Sequence, residues 1–183
     1  MDQGNHQCGA AMFGGRGPVK LCEPLARLQL EHGPLREQMN AFAREAAAIG
    51  RDGAVADWSG PLAELKRKIE AFVGDLDPHS EREEGVLFPM MAKYIGRETG
   101  PIAVMEYEHD LAKANLKKFR EAVERLEGAV DAERAKEIAS YAIQAHAVLT
   151  DHFMKEENVL FPMAENMLNA EEKAELGRAI GSA

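Results

Sequence analysis

Apolar positions recur three and four residues apart through most of the chain, the period of amphipathic helices, and no strand signal competes. The pattern predicts a first helix over about Leu21 to Ile49 and a second over about Leu62 to Ile95, joined by the turn-rich 50-GRDGAVADWSGP-61. The break 96-GRETGP-101 puts Pro101 near the first position of a third helix, where its missing N–H costs nothing. That helix is expected to reach about Glu127, with Gly128 as its C-cap. Asp131 is the expected N-cap of a fourth helix running to about Leu168. Asn169 with Glu172 has the form of a capping box and opens a short fifth helix. Ala, Glu, Leu, Lys and Arg, all good helix formers, are abundant. The expected architecture is all-α, an antiparallel four-helix bundle of two helical hairpins over residues 19–183, preceded by a flexible glycine-rich tail, 1–18.

The second and fourth helices carry near-copies of one stretch, 79-HSEREEGVLFPM-90 and 152-HFMKEENVLFPM-163. They agree at His, both Glu, Val, Leu, Phe, Pro and Met. At ~100° per residue, His79, Glu83, Val86 and Met90 share one stripe, and His152, Glu156, Val159 and Met163 repeat it. Leu87, Phe88, Leu160 and Phe161 read as core, and Pro89 and Pro162 as kinks or ends just beyond. The first and third helices match more weakly. Both hold a Glu-His pair, Glu31-His32 and Glu108-His109, a basic residue four past the histidine, Arg36 and Lys113, and a later phenylalanine, Phe42 and Phe119. His32 shares its stripe with Leu25, Leu28 and Met39; His109 shares its own with Ile102, Met105 and Leu116. The chain thus reads as a helical hairpin written twice, related by a pseudo-two-fold axis.

Charge and composition narrow the function classes. The net charge is −9 and the pI near 5.2, which argues against a nucleic-acid or anionic-membrane partner, since both need a basic surface. No apolar run approaches a membrane span and no signal-peptide pattern opens the chain, so a cytoplasmic protein is expected. Cys8 and Cys22 form no CxxC pair, and a structural disulfide is not expected of a reducing compartment. His6 and Cys8 could grip a metal together, but incidental residues in a tail are the stronger reading.

Four of the six histidines and two glutamates therefore point into one bundle. Two buried carboxylates without a cation would repel each other and take up protons. Packing alone would preserve Val-Leu-Phe and has no need of His and Glu, so His32, His79, Glu83, His109, His152 and Glu156 are the candidate metal ligands. Six ligands exceed one zinc and suit two metals, each held by two histidines, with Glu83 and Glu156 bridging. An oxo or hydroxo bridge would complete five donors per ion and leave a position open on each. Iron, manganese and zinc all accept these donors. Glu84 and Glu157, ~100° further round, read as outer-shell or surface groups, and Arg36 and Lys113 as cations snorkelling past the core edge rather than pairing with site carboxylates. The pattern is not HExxH and differs from the ferritin-like set, which uses Glu-x-x-His pairs, and there is no activated serine or cysteine nucleophile and no phosphate-cradling loop.

The order His32, His79-x-x-x-Glu83, His109, His152-x-x-x-Glu156, with Glu-Glu-x-x-Leu-Phe-Pro after two of the histidines, resembles the hemerythrin-like (HHE cation-binding) domain over roughly residues 21 to 168. The resemblance implies a four-helix bundle around a non-haem di-iron centre, in proteins that bind oxygen, sense oxygen or iron, or respond to nitric oxide and peroxide. Oxygen-carrying members have a further histidine one turn from the first on the third helix, where this chain has Met105 and Lys113, and an aspartate where it has Glu156. The four-His, two-Glu set is closer to the RIC-type di-iron repair proteins and to the iron-sensing domain of an F-box protein. Cys8 and Cys22 do not reproduce the short cysteine-bearing N-terminal domain of the repair proteins.

The leading expectation is a di-iron protein that binds or reacts with O2, NO or peroxide in oxidative or nitrosative stress or iron homeostasis, with an electron-donor protein as a possible partner. The alternatives are an oxygen or iron sensor or store without turnover, and a bundle whose metal is only structural.

Overall fold

The computed structural model describes residues 19–181; the expected tail, 1–18, with His6 and Cys8, lies outside them. The helices are α1 (Glu23–Ala48), α2 (Ser59–Arg82), α3 (Phe88–Ile95), α4 (Pro101–Glu124), α5 (Ala132–Lys155), α6 (Phe161–Met167) and α7 (Ala170–Gly181). Two short π-helical segments, π1 (Glu83–Leu87) and π2 (Glu156–Leu160), join α2 to α3 and α5 to α6 into two continuous rods. The four long elements are those expected, and they pack in the ring order α1, α2, α4, α5.

The ends reflect local chemistry. Asp131 accepts the Arg134 N–H at 2.8 Å, the N-cap read from the sequence. Asn169 accepts the Glu171 and Glu172 N–H groups while Glu172 accepts that of Asn169, a complete capping box. The hairpin after α1 turns at Gly50, with φ +73, where a Cβ would meet the Ala132 carbonyl at 2.6 Å. Asp57 ties two loops at that end, accepting from Val130 N and Ser59 N.

The π segments were not expected, and they correct the wheel. Pro89 and Pro162 stand six residues past Glu83 and Glu156. Each proline lacks an N–H and its ring crowds the carbonyl four residues back. The backbone widens, and Phe88 N–H and Phe161 N–H reach the Glu83 and Glu156 carbonyls five residues back. The wider turn shifts the phase of the helix beyond it. Leu87, Phe88, Leu160 and Phe161 are buried, as expected, whereas Val159 is 50% exposed and Val86 and Met163 are half-buried. The prolines re-aim their helices without ending them.

Two apolar clusters fill the bundle, with the polar residues between them. One runs from Leu35, Met39 and Phe42 through Phe72, Leu76, Phe119 and Leu149 to Phe153. The other holds Leu25, Leu28, Phe88, Ile102, Met105, Phe161 and Leu168. Leu176 and Ile180 of α7 join this second cluster, so α7 closes the end of the bundle nearest Cys22. Cys22 is a free thiol that burial pushes up, and its N–H donates to Glu165 at 2.6 Å.

Asp131→Ala should lower unfolding free energy by about 1 kcal/mol, the usual worth of an N-cap. Urea unfolding checks this: the midpoint should fall with the slope unchanged. An unmoved midpoint would mean that the cap contributes nothing.

Candidate metal centre

Each candidate residue comes from a different turn of the bundle: His32 from α1, His79 from α2, Glu83 from π1, His109 from α4, His152 from α5 and Glu156 from π2. All six are at most 2% exposed. Their donor atoms form two groups, His32, His79, Glu83 and Glu156, and Glu83, His109, His152 and Glu156, each within 4.8 Å. Both glutamates belong to both groups. Glu156 sets Oε2 3.3 Å from His32 Nε2 and Oε1 3.2 Å from His152 Nε2. Glu83 sets Oε1 3.4 Å from His79 Nε2 and Oε2 3.6 Å from His109 Nε2. Each carboxylate thus offers one oxygen to each histidine pair.

The other face of every imidazole is also specified. His32 Nδ1 donates to Glu157 at 2.8 Å, His79 Nδ1 to Glu31 at 2.8 Å, His109 Nδ1 to Glu84 at 2.7 Å and His152 Nδ1 to Glu108 at 3.2 Å. A carboxylate can only accept, so the proton sits on Nδ1 and the Nε2 lone pair points inward. Each of these glutamates is held by a cation in turn: Glu157 by Arg36 at 2.5 Å, Glu31 by Arg82 at 2.6 Å, Glu84 by Lys113 at 2.8 Å, and Glu108 by Lys155. The snorkelling reading of Arg36 and Lys113 is therefore corrected. They pair with Glu157 and Glu84, because those carboxylates already face the histidines and need a counter-charge. Glu31 and Glu108 stood out in the sequence only as halves of the two Glu-His pairs, with no role assigned, and Arg82 and Lys155 were not singled out. Their signal was the repeat itself, since Arg82 and Lys155 stand at matching places in the two copies.

The electrostatics of the inner layer set its two glutamates apart. Burial, then the Glu156 charge, pushes Glu83 well above the ordinary carboxylate range. Burial would raise Glu156 too, but His152 and His32 hold it below that range. Burial lowers His79 and His109, while Glu156 and Glu108 overcome burial and raise His152. The hydrogen bond from His109 brings Glu84 down to about 2. Both oxygens of Glu83 and Glu156, and the Nε2 atoms of His109 and His152, are buried without a hydrogen-bond partner among the described residues. His32 Nε2 and His79 Nε2 stand 3.2 Å apart with lone pairs converging. Orphaned acceptors aimed at one another fit cations between them.

The fold and this layer define a helical bundle built to hold a pair of metal ions. The sequence profile of the Hemerythrin HHE cation binding domain matches residues 23–164, and again 117–180, and the chain belongs to that family. The donor set fits the family's di-iron centre. Two proteins named iron-sulfur cluster repair protein YtfE are similar to it. That of Musicola paradisiaca is 36% identical over 55% of this chain and 46% of its own length. That of Salmonella schwarzengrund is 31% identical over 73% of this chain and 60% of its own. The chain thus spans roughly half the length of these curated relatives. No solved structure matches it significantly. Among the described residues, no helix is long and apolar enough to cross a membrane.

Because Glu83 is raised in the folded state, its contribution to stability is present below the unfolded value of 4.5 and is lost as pH rises toward its folded value. Metal-free Glu83→Gln, which cannot titrate, should therefore melt no lower than metal-free wild type at pH 7.5, by circular dichroism. A clear drop in melting temperature would refute the electrostatic account. Glu84 has the opposite sign. Its contribution is full above the ordinary value of 4.5 and fades as pH falls toward about 2. Glu84→Gln should accordingly show a shallower loss of urea midpoint than wild type across that window, and parallel curves would contradict it.

Proposed function

We propose that His32, His79, Glu83, His109, His152 and Glu156 hold two iron ions, and that the centre binds or reacts with a small diatomic or a peroxide, O2, NO or H2O2. The role we assign is in oxidative or nitrosative stress response or iron homeostasis, and the relatives named for iron-sulfur cluster repair support an iron-linked role. One observation carries this reading: each bridging glutamate gives one oxygen to each histidine pair, an arrangement that serves two ions and wastes an oxygen on one.

A bound iron pair supplies redox chemistry and open coordination positions for a small ligand. The chain supplies the rest. Glu31, Glu84, Glu108 and Glu157 each accept from the Nδ1 of one imidazole, which leaves Nε2 as the inward-facing donor atom of every histidine. The apolar clusters on either side, with Phe88, Phe153 and Phe161 against the rings, exclude water from the layer and hold the rings in place. An electron-donor protein would meet an acidic surface, given the net charge of −9. A cytoplasmic setting belongs to this reading, in keeping with the lack, among the described residues, of a helix long and apolar enough to cross a membrane.

Protein purified from iron-supplemented cells should hold close to two irons per chain, with near-ultraviolet bands that change on adding NO or azide. His79→Ala and His152→Ala should each lose iron, because each removes a donor from a different group. One metal per chain, indifferent to both substitutions, would sink the proposal.

A further inference from the structure

The repeat makes the two donor groups nearly equivalent, and the place where it fails is informative. The residue after the motif histidine is Phe153 in the second copy and Ser80 in the first. Phe153 lies flat on His32, ring centroids 4.2 Å apart and 19° from parallel, and Phe161 stacks on the same imidazole at 5.6 Å. The pseudo-two-fold that exchanges His32 with His109 exchanges Phe153 with Ser80. His109 keeps only the counterpart of Phe161, namely Phe88 at 5.9 Å. By the same operation Ser80 takes, next to His109, the place that Phe153 takes next to His32, so a hydroxymethyl group replaces an aromatic ring there. Ala112 also takes the place on the third helix that Leu35 holds on the first.

Ser80 is fully buried, and its Oγ has no hydrogen-bond partner among the described residues, not even the carbonyl one turn back that helical serines ordinarily use. An orphaned buried hydroxyl is costly to keep, so a group that it can serve is to be expected. The outer face is asymmetric as well. Arg36 lies over Phe153, 5.5 Å from the ring centroid, and closes that side. On the other side a groove of about 210 Å³ runs between α2 and α4, lined by Leu76, Asp77, Lys113 and Leu116 among others. Leu76 and Asp77 lie one turn before Ser80, and Lys113 one turn after His109.

We infer that the two donor groups are unequal, and that a small ligand binds beside the His109–His152 group, where the Ser80 hydroxyl donates a hydrogen bond to it. The ligand class is a two- or three-atom species with an acceptor atom, such as nitric oxide, peroxide or azide. The groove at Lys113, one turn from both Ser80 and His109, is the side we assign to its approach, because Phe153 and Arg36 cover the His32 side. The inference rests on the proposal that the six residues hold two ions.

The test is an azide titration of the iron-loaded full chain, followed by absorption and by the azide infrared stretch, with iron counted in every sample. Ser80→Ala should keep two irons and weaken azide binding roughly 5- to 10-fold, the loss of one buried hydrogen bond, with a shifted stretch. Ser80→Thr should restore both, as a merely space-filling role would not. Ser80→Phe, restoring the symmetric aromatic, should keep two irons and abolish azide binding; should it not fold, the Ala and Thr variants decide. Unchanged affinity and stretch in Ser80→Ala, with two irons present, would overturn the inference and leave the centre itself intact. Fewer than two irons in wild type would overturn the underlying proposal as well.

Discussion

Two carboxylates, Glu83 and Glu156, are buried in the same layer of a helical bundle, and the rest of the arrangement answers that constraint. An isolated ionised carboxylate in an apolar interior costs several kcal/mol, and two of them repel each other besides. Four imidazoles surround the pair, yet neutral imidazoles alone cannot cancel two negative charges. Glu83 accordingly holds its proton far above the ordinary range. Two cations between the groups would reverse this, turning repelling lone pairs into shared donors. The layer is thus a place where stability is given up for binding, and the apolar clusters on both sides offset the loss.

The outer carboxylates extend the same logic. Glu31, Glu84, Glu108 and Glu157 each sit between an imidazole and a cation, so their negative charge is compensated on both sides. They strengthen the histidines as donors and fix the tautomer without adding net charge to the interior. The inner and outer carboxylates therefore differ in kind. The outer four are satisfied by the protein, and the inner two are left unsatisfied by it. That contrast, more than the count of histidines, marks where an ion belongs.

The sequence made the helices, the caps at Asp131 and Asn169, and all six inner residues legible, because each depends on local pattern or on a repeat that packing does not require. The π segments were not legible from periodicity, since a wheel at constant pitch cannot show a change of pitch. It therefore put Val86 and Val159 inward although the backbone turns them partly or half out. Pro89 and Pro162 were the visible cause: of the kink or end that they suggest, the structure shows a change of direction and no end. The partners of Arg36 and Lys113 were hidden for another reason. Both pairs join residues over 25 apart in sequence, Arg36 to Glu157 and Lys113 to Glu84, and only the packing brings them together.

Those long-range pairs also explain why the site needs the whole bundle. The bond from His32 runs from α1 to π2, that from His152 from α5 to α4, that from His109 from α4 to π1, and that from His79 from α2 to α1. The chain of bonds passes round all four helical rods and closes on itself. Neither hairpin alone holds a complete donor group, because each group takes one inner glutamate from each copy of the repeat. An internally repeated hairpin could have kept its chemistry within each copy. Here the chemistry lies across the boundary between them, so assembling the fold and assembling the centre are one event. A symmetric assembly of this kind treats its two ions alike, unless single residues such as Ser80 and Phe153 distinguish them.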